Sequence, residues 1–160
     1  MVSVHDIRAA LFEAAPQYMK MDWDNVGLMC GRAGQKVTRV MVALDASMDV
    51  LQEAKACGCE LVVSHHPMIF GGTKTVTDET PTGNALLFAI ENGLAVISMH
   101  TNLDCAPGGV NDCLAAKAGL HNVAAIDPAG VDANGRPYGL LRGGDLAEAA
   151  EPEAFVRHVK

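Results

Sequence analysis

Nowhere in the 160 residues do about 18 apolar positions run together, which removes a membrane-spanning helix from consideration. Positive charge is scarce as well: 12 Lys and Arg stand against 19 Asp and Glu, a formal charge of −7. A chain of that sign has no electrostatic reason to approach phosphate backbones or anionic lipid, so neither nucleic acid nor membrane is an expected partner. The first twenty residues carry Asp6, Arg8 and Glu13 inside their apolar pattern and so lack the uncharged core of a signal peptide. No disulfide framework emerges from Cys30, Cys57, Cys59, Cys105 and Cys113, which are odd in number; a reducing cytoplasm is the expected location. Internal repeats and long polar tracts are missing too, and with 49% apolar and 19% charged residues the chain reads as globular, long enough for a substantial core.

What is present alternates between two periods. Val4, Ile7, Leu11 and Ala14 recur at helical spacing before Pro16. "VTRVMVALDAS" (37–47) reads as a buried strand, and 47–58 as a helix with Ser47 as N-cap and Gly58 as its stop. A second strand is predicted at 60–64, a helix from Thr80-Pro81 through Ile90 ending at Gly93, a third strand at 94–99 and a helix over 108–120. Short strands alternating with helices predict an α/β fold, a mostly parallel sheet with helices on its faces. Right-handed crossovers then bring all strand C-termini to one edge, where such sheets bind ligands. Residues 1–121 form one expected α/β domain. Residues 122–160 read as the start of a further αβ segment, with one short strand at Tyr138–Leu141 and a helix opening at Pro152 that is cut in mid-element.

Chemistry concentrates at the predicted strand ends. "LVVSHHPMIF" (61–70) runs a strand into His65 and His66, and the third strand leads into His100 and, four residues on, Asp104. Adjacent residues of a regular strand point to opposite faces, but at a terminus that constraint loosens. The pair then serves two neighbouring ions, or one ion with the second ring as its support. Imidazole with carboxylate suits zinc, manganese, iron, cobalt or nickel, and one shared sheet edge makes His65, His66, His100 and Asp104 a candidate site for divalent metal ions. In "DWDNVGLMCG" (22–31), Trp23 reads as a core anchor and Asp24-Asn25 either as a linking turn or, beside the metal edge, as supporting acceptors or substrate contacts. Cys57 and Cys59 flank a helix stop without a second pair at zinc-finger spacing and read as structural, Cys105 as a small filler and Cys113 as core. "FGGTKTV" (70–76) lacks the spacing of a phosphate loop and reads as a loop over the cleft. His5, His121 and His158 have no clustered partners and are expected at the surface.

The motifs "DNVGL" (24–28), "VALDAS" (42–47), "LVVSHHPMIF" (61–70) and "HTNLDCAPGGVNDCLA" (100–115) together resemble the Nif-three-like dinuclear metal-binding family, whose members are often labelled type-two GTP cyclohydrolase-like proteins. The resemblance implies that His65, His66 and Asp104 ligate two divalent ions, with His100 among the ligands or just behind them. It also implies a homo-oligomer, a ring-shaped hexamer with the metal pairs facing an internal cavity. One departure stands out: the family completes its site with a C-terminal histidine followed four residues later by a glutamate, and His158 has no such partner.

These readings lead to a metal-dependent hydrolase of a small-molecule substrate, GTP cyclohydrolase-like by resemblance. His65, His66 and Asp104 are expected to hold the ions, while catalytic His100 orients a ligand or relays a proton. The other class is a non-catalytic metal-binding or regulatory interaction protein.

Overall fold

Ser3 opens helix α1 (Val4–Ala14) by reciprocal capping in the computed structural model, which describes residues 1–160. Its hydroxyl accepts the Asp6 N–H at 3.2 Å while the Asp6 carboxylate accepts the Ser3 N–H at 2.9 Å, satisfying two donors that a helix start otherwise leaves open. Two compact units follow from the contacts of the chain, Met1–Asn102 and Leu103–Lys160. No helix is long and apolar enough to cross a membrane.

The first unit contains strand β1 (Gly27–Cys30), β2 (Val40–Ala43), helix α2 (Met48–Ala56), β3 (Leu61–Ser64), α3 (Pro81–Glu91) and β4 (Ala95–Ser98). Its sheet runs in the order β1-β4-β3-β2. The β2–β3 and β3–β4 pairs are parallel and β1 is antiparallel to β4, so the expected mostly parallel α/β architecture is what the chain adopts. Every residue of β4 is buried, which is why "AVIS" shows no polar alternation. Leu51 and Ala54 of α2 pack with Ala85 and Ala89 of α3 and with Val62 and Val96 of the sheet. Ser47 and Thr80 cap these two helices with their side chains, as their sequence positions predict.

β2 is shorter than the apolar run 37–47 predicts because the Glu60 carboxylate captures the backbone ahead of it. Glu60 accepts the N–H groups of Thr38 at 3.0 Å and Arg39 at 2.9 Å, and the Thr38 hydroxyl at 2.9 Å. The Thr38 and Arg39 N–H groups, then the hydroxyl, draw the Glu60 carboxyl from an ordinary 4.5 down to about 2. A depressed folded value stabilises the fold fully above the unfolded value, and that contribution disappears as pH falls through the folded one. Glu60→Gln is therefore expected to flatten the loss of stability between about pH 4.5 and pH 2, read as the urea midpoint against pH. An unchanged acid slope would show that the carboxylate contributes nothing there.

Strand register positions the site. Gly27 pairs with Ser98, Ser98 with Ser64, and Ser64 with Ala43. The segment entering β1 and the segments leaving β2, β3 and β4 therefore all meet at one edge. β1 is a strand that the sequence pattern of 22–31 does not mark. It is only four residues long, carries an irregularity between Leu28 and Cys30, and begins at Gly27 with φ +102, where a Cβ would stand 3.2 Å from the Phe12 ring.

Helix α4 (Thr101–Cys105) begins at the end of the first unit, and the second unit adds α5 (Val110–Lys117), β5 (Leu120–Ile126), β6 (Gly130–Val131), β7 (Pro137–Tyr138), β8 (Leu141–Leu146) and α6 (Pro152–Val159). β5 pairs antiparallel with β8, and β6 with β7. The single strand expected at Tyr138–Leu141 is thus the junction of two strands. β5 was missed because Asn122 takes φ 50 and the register shifts between His121 and Ala124, which breaks the alternation a strand would show. Arg142 organises this unit: its guanidinium pairs with Asp112 and donates to the carbonyls of Gly139 at 2.6 Å, Cys105 at 3.1 Å and Ala106 at 3.3 Å. Burial alone would raise the Asp112 carboxyl, but the Arg142 and Gly108 hydrogen bonds and the guanidinium charge outweigh it and hold it low. Cys113, expected in the core, is exposed. α5 begins only after Gly109 and turns a different face inward, burying Ala115. His5, His121 and His158 are exposed as expected.

Candidate metal centre

Ser64 ends β3 and bends the chain that follows. Its hydroxyl donates to the His66 carbonyl at 2.8 Å and so receives its other hydrogen bond, at 2.9 Å, from the Ser98 hydroxyl. The His65 and His66 N–H groups still reach the carbonyls of Ala43 and Leu44, at 3.2 and 2.9 Å. This departure from pleat geometry frees the two rings from opposite faces. Their centroids lie 5.1 Å apart, and the His100 ring, brought in by β4, lies 5.2 Å from His65 and 5.7 Å from His66. One nitrogen from each ring lies within 4.8 Å of the others.

Each ring is held from behind at Nδ1. His65 meets the Met99 carbonyl at 2.9 Å, His66 the Asp45 carboxylate at 2.7 Å, and His100 the Asp24 carboxylate at 2.9 Å. All three partners are acceptors, so Nδ1 carries the proton and the lone pair of each neutral ring sits on Nε2. Three imidazoles fixed in one tautomer by carbonyl and carboxylate partners are of the donor type that transition-metal and zinc sites use. The residues present fit a divalent ion on chemical grounds.

Asp24 is buried, 6% exposed, and takes more than the histidine. Its second oxygen accepts the Thr101 N–H at 3.0 Å and the Thr101 hydroxyl, and its first also accepts the Asn25 N–H at 2.8 Å. Burial works to raise this carboxyl, yet the hydrogen bonds from His100 and Thr101 prevail and keep it below the ordinary carboxylate value. Of the readings open for Asp24, acceptor support for the imidazole edge is the one its contacts match. Asp45 carries no marking pattern of its own in the sequence; its place near the end of the apolar run predicted as a strand ending on the same edge is the one signal it leaves. Asp104 lies on α4 at the start of the second unit, and the close cluster consists of imidazoles alone. Trp23 is not the expected core anchor but 57% exposed. His66 and Asp45 also border a cleft of about 940 Å³ whose walls include Leu44, Met48, Met68 and Thr80.

Comparison with known proteins adds relatives to this geometry. Residues 2–160 match the family model described as Duf34/NIF3 (NGG1p interacting factor 3). A Clostridium perfringens protein named GTP cyclohydrolase 1 type 2 homolog is 36% identical over 131 residues, which are 82% of this chain and 50% of that protein. The chain thus spans about half the length of this curated relative. Among solved structures, a Staphylococcus aureus hypothetical protein superposes with a TM-score of 0.89 at 28% identity, covering 98% of this chain and 63% of that one. A Bacillus cereus protein related to NIF3 gives 0.76 at 33% identity, over 81% of this chain and 36% of that one.

Proposed function

The chain belongs to the Duf34/NIF3 family, and from that footing we propose that it is a metal-dependent hydrolase of a small-molecule substrate. The observation that carries this reading is the convergence of His65, His66 and His100, each held at Nδ1, beside an open cleft. His65 and His66 would hold the divalent ions. His100, with Asp24 behind it, joins them as a third nitrogen donor, and the Asp104 carboxylate enters the ligand set through the family motif alone. When bound, the metal supplies Lewis acidity toward a carbonyl, imine or phosphoryl oxygen. Asp45 and Asp24 keep the ring protons on Nδ1 and so keep the nitrogens facing the metal unprotonated. The name of the Clostridium perfringens relative suggests GTP as the first substrate to try. Assembly into a ring of six copies, read from the resemblance, belongs to the same proposal.

The test is incubation of GTP with the chain loaded in turn with zinc, manganese, iron, cobalt and nickel, followed by chromatography of the nucleotide. Conversion is expected, and Asp104→Ala is expected to lower it roughly a hundredfold or more, beyond the 10–100-fold that outer partners of ligands usually contribute. A chain that binds metal and leaves GTP and related nucleotides untouched would favour the non-catalytic, regulatory class instead.

A further inference from the structure

Trp23 and Phe70 hold their rings in solvent, each 57% exposed, although side chains of this size usually bury most of their surface. Their centroids are 5.9 Å apart with the planes tilted by 49°, so the two rings do not cover one another's faces. Each also approaches His100 edge-on, Trp23 at 6.4 Å and Phe70 at 6.3 Å, both at 73°. Three rings from three chain segments make an open aromatic corner against the imidazole cluster.

The corner is built in advance by the residues that follow Trp23. Asp24 holds the His100 ring and the start of α4. Asn25 donates from its side chain to the Ile69 carbonyl at 2.7 Å, which ties down the backbone immediately before Phe70. One tripeptide therefore carries one ring of the corner and fixes the positions of the other two. Rings whose places are set before a ligand arrives lose little freedom on binding it. An aliphatic ligand would gain no more from flat rings than from branched side chains, whereas a planar ring gains stacking on their faces.

We propose that Trp23 and Phe70 form a stacking subsite for a planar heteroaromatic ring, from which the remainder of the same molecule reaches the imidazole cluster. This rests on reading the cluster as a reaction centre for a small molecule, and it narrows that molecule to one with an unsaturated ring.

GTP serves as the probe, and tripolyphosphate, which keeps the charged tail without the ring, as its control. Trp23 is the one tryptophan of the chain, so its emission reports on the corner directly. GTP is expected to quench it saturably, with tripolyphosphate leaving it unchanged, in both metal-free and zinc-loaded protein. Phe70→Ala, which keeps the reporter, is expected to weaken GTP roughly tenfold or more. By calorimetry Trp23→Ala is expected to do the same, while Trp23→Phe stays within about threefold because a flat ring is retained. If Trp23→Ala fails to fold, Phe70→Ala and Trp23→Phe decide. Equal binding of GTP and tripolyphosphate, or unchanged GTP affinity in Phe70→Ala, overturns the subsite. So does a change of solution mass in either alanine variant with nucleotide affinity intact, since the corner would then be covered by a second copy. Ring binding in metal-free protein reads this subsite alone, and turnover of GTP reads the hydrolase proposal, so either can fail without the other.

Discussion

Alanine at position 100 is expected to cost the chain its zinc. The three rings converge as a set, with one nitrogen of each within 4.8 Å of the others, and removing one cuts the proposed set of three nitrogens and the Asp104 carboxylate to three donors, fewer than the four of a tightly closed zinc site. Affinity should fall by more than the roughly 10–100-fold that follows loss of an outer hydrogen-bond partner. Competition with a chromophoric chelator measures it. The fold should survive, because Asp24 retains the Thr101 N–H and hydroxyl and the Asn25 N–H when the imidazole is gone. His66→Ala, at an exposed ring backed by Asp45, should lose zinc in the same way with still less effect on stability. Zinc retained by His100→Ala at wild-type affinity, together with lost turnover, would contradict the donor role and assign His100 to proton transfer.

How far the sequence exposes this site depends on which physical signal each residue leaves. His65, His66 and His100 were legible because each follows an apolar run long enough to read as a strand, and the handedness of parallel crossovers sends those strand ends to one edge. Trp23, Asp24 and Asn25 reach the same edge by a route with no such signal. They precede a four-residue strand that runs against its neighbour, starts at a positive-φ glycine and carries an irregularity, so neither period nor length marks it. Trp23 was mistaken for a core anchor because composition alone says that tryptophan buries; only tertiary structure shows its ring standing open between Phe70 and His100. In the second unit, Asn122 and Asp127 adopt left-handed backbone at φ 50 and 51, and β5 loses its alternation at the first of them. Helices were read more easily, since Ser47, Thr80 and Pro152 mark their starts chemically.

Asp24 is where stability and site geometry separate under mutation. In Asp24→Ala the Thr101 N–H and hydroxyl, the Asn25 N–H and the His100 Nδ1–H all lose their acceptor. Two of these four donors, the Thr101 N–H and hydroxyl, sit where solvent does not reach, for Asp24 and Thr101 are both buried. Orphaned buried donors cost about 1–3 kcal/mol each. With two of them, a loss of about 2–5 kcal/mol is expected in urea unfolding, enough to threaten the fold of a marginally stable domain. Asp24→Asn keeps the shape and one carbonyl oxygen. If that oxygen stays on His100, the amide nitrogen faces the Thr101 donors, so the variant should fold with a smaller loss while the ring is held less firmly. Zinc affinity in Asp24→Asn is then expected to fall about 10–100-fold, with His66→Ala as the reference for complete loss of one donor. Wild-type zinc affinity in Asp24→Asn would mean that packing against Trp23 and Phe70, rather than the carboxylate, holds the His100 ring in place. Wild-type stability in Asp24→Ala would mean that the Thr101 donors find other acceptors, and the edge would not be preorganised by Asp24 at all.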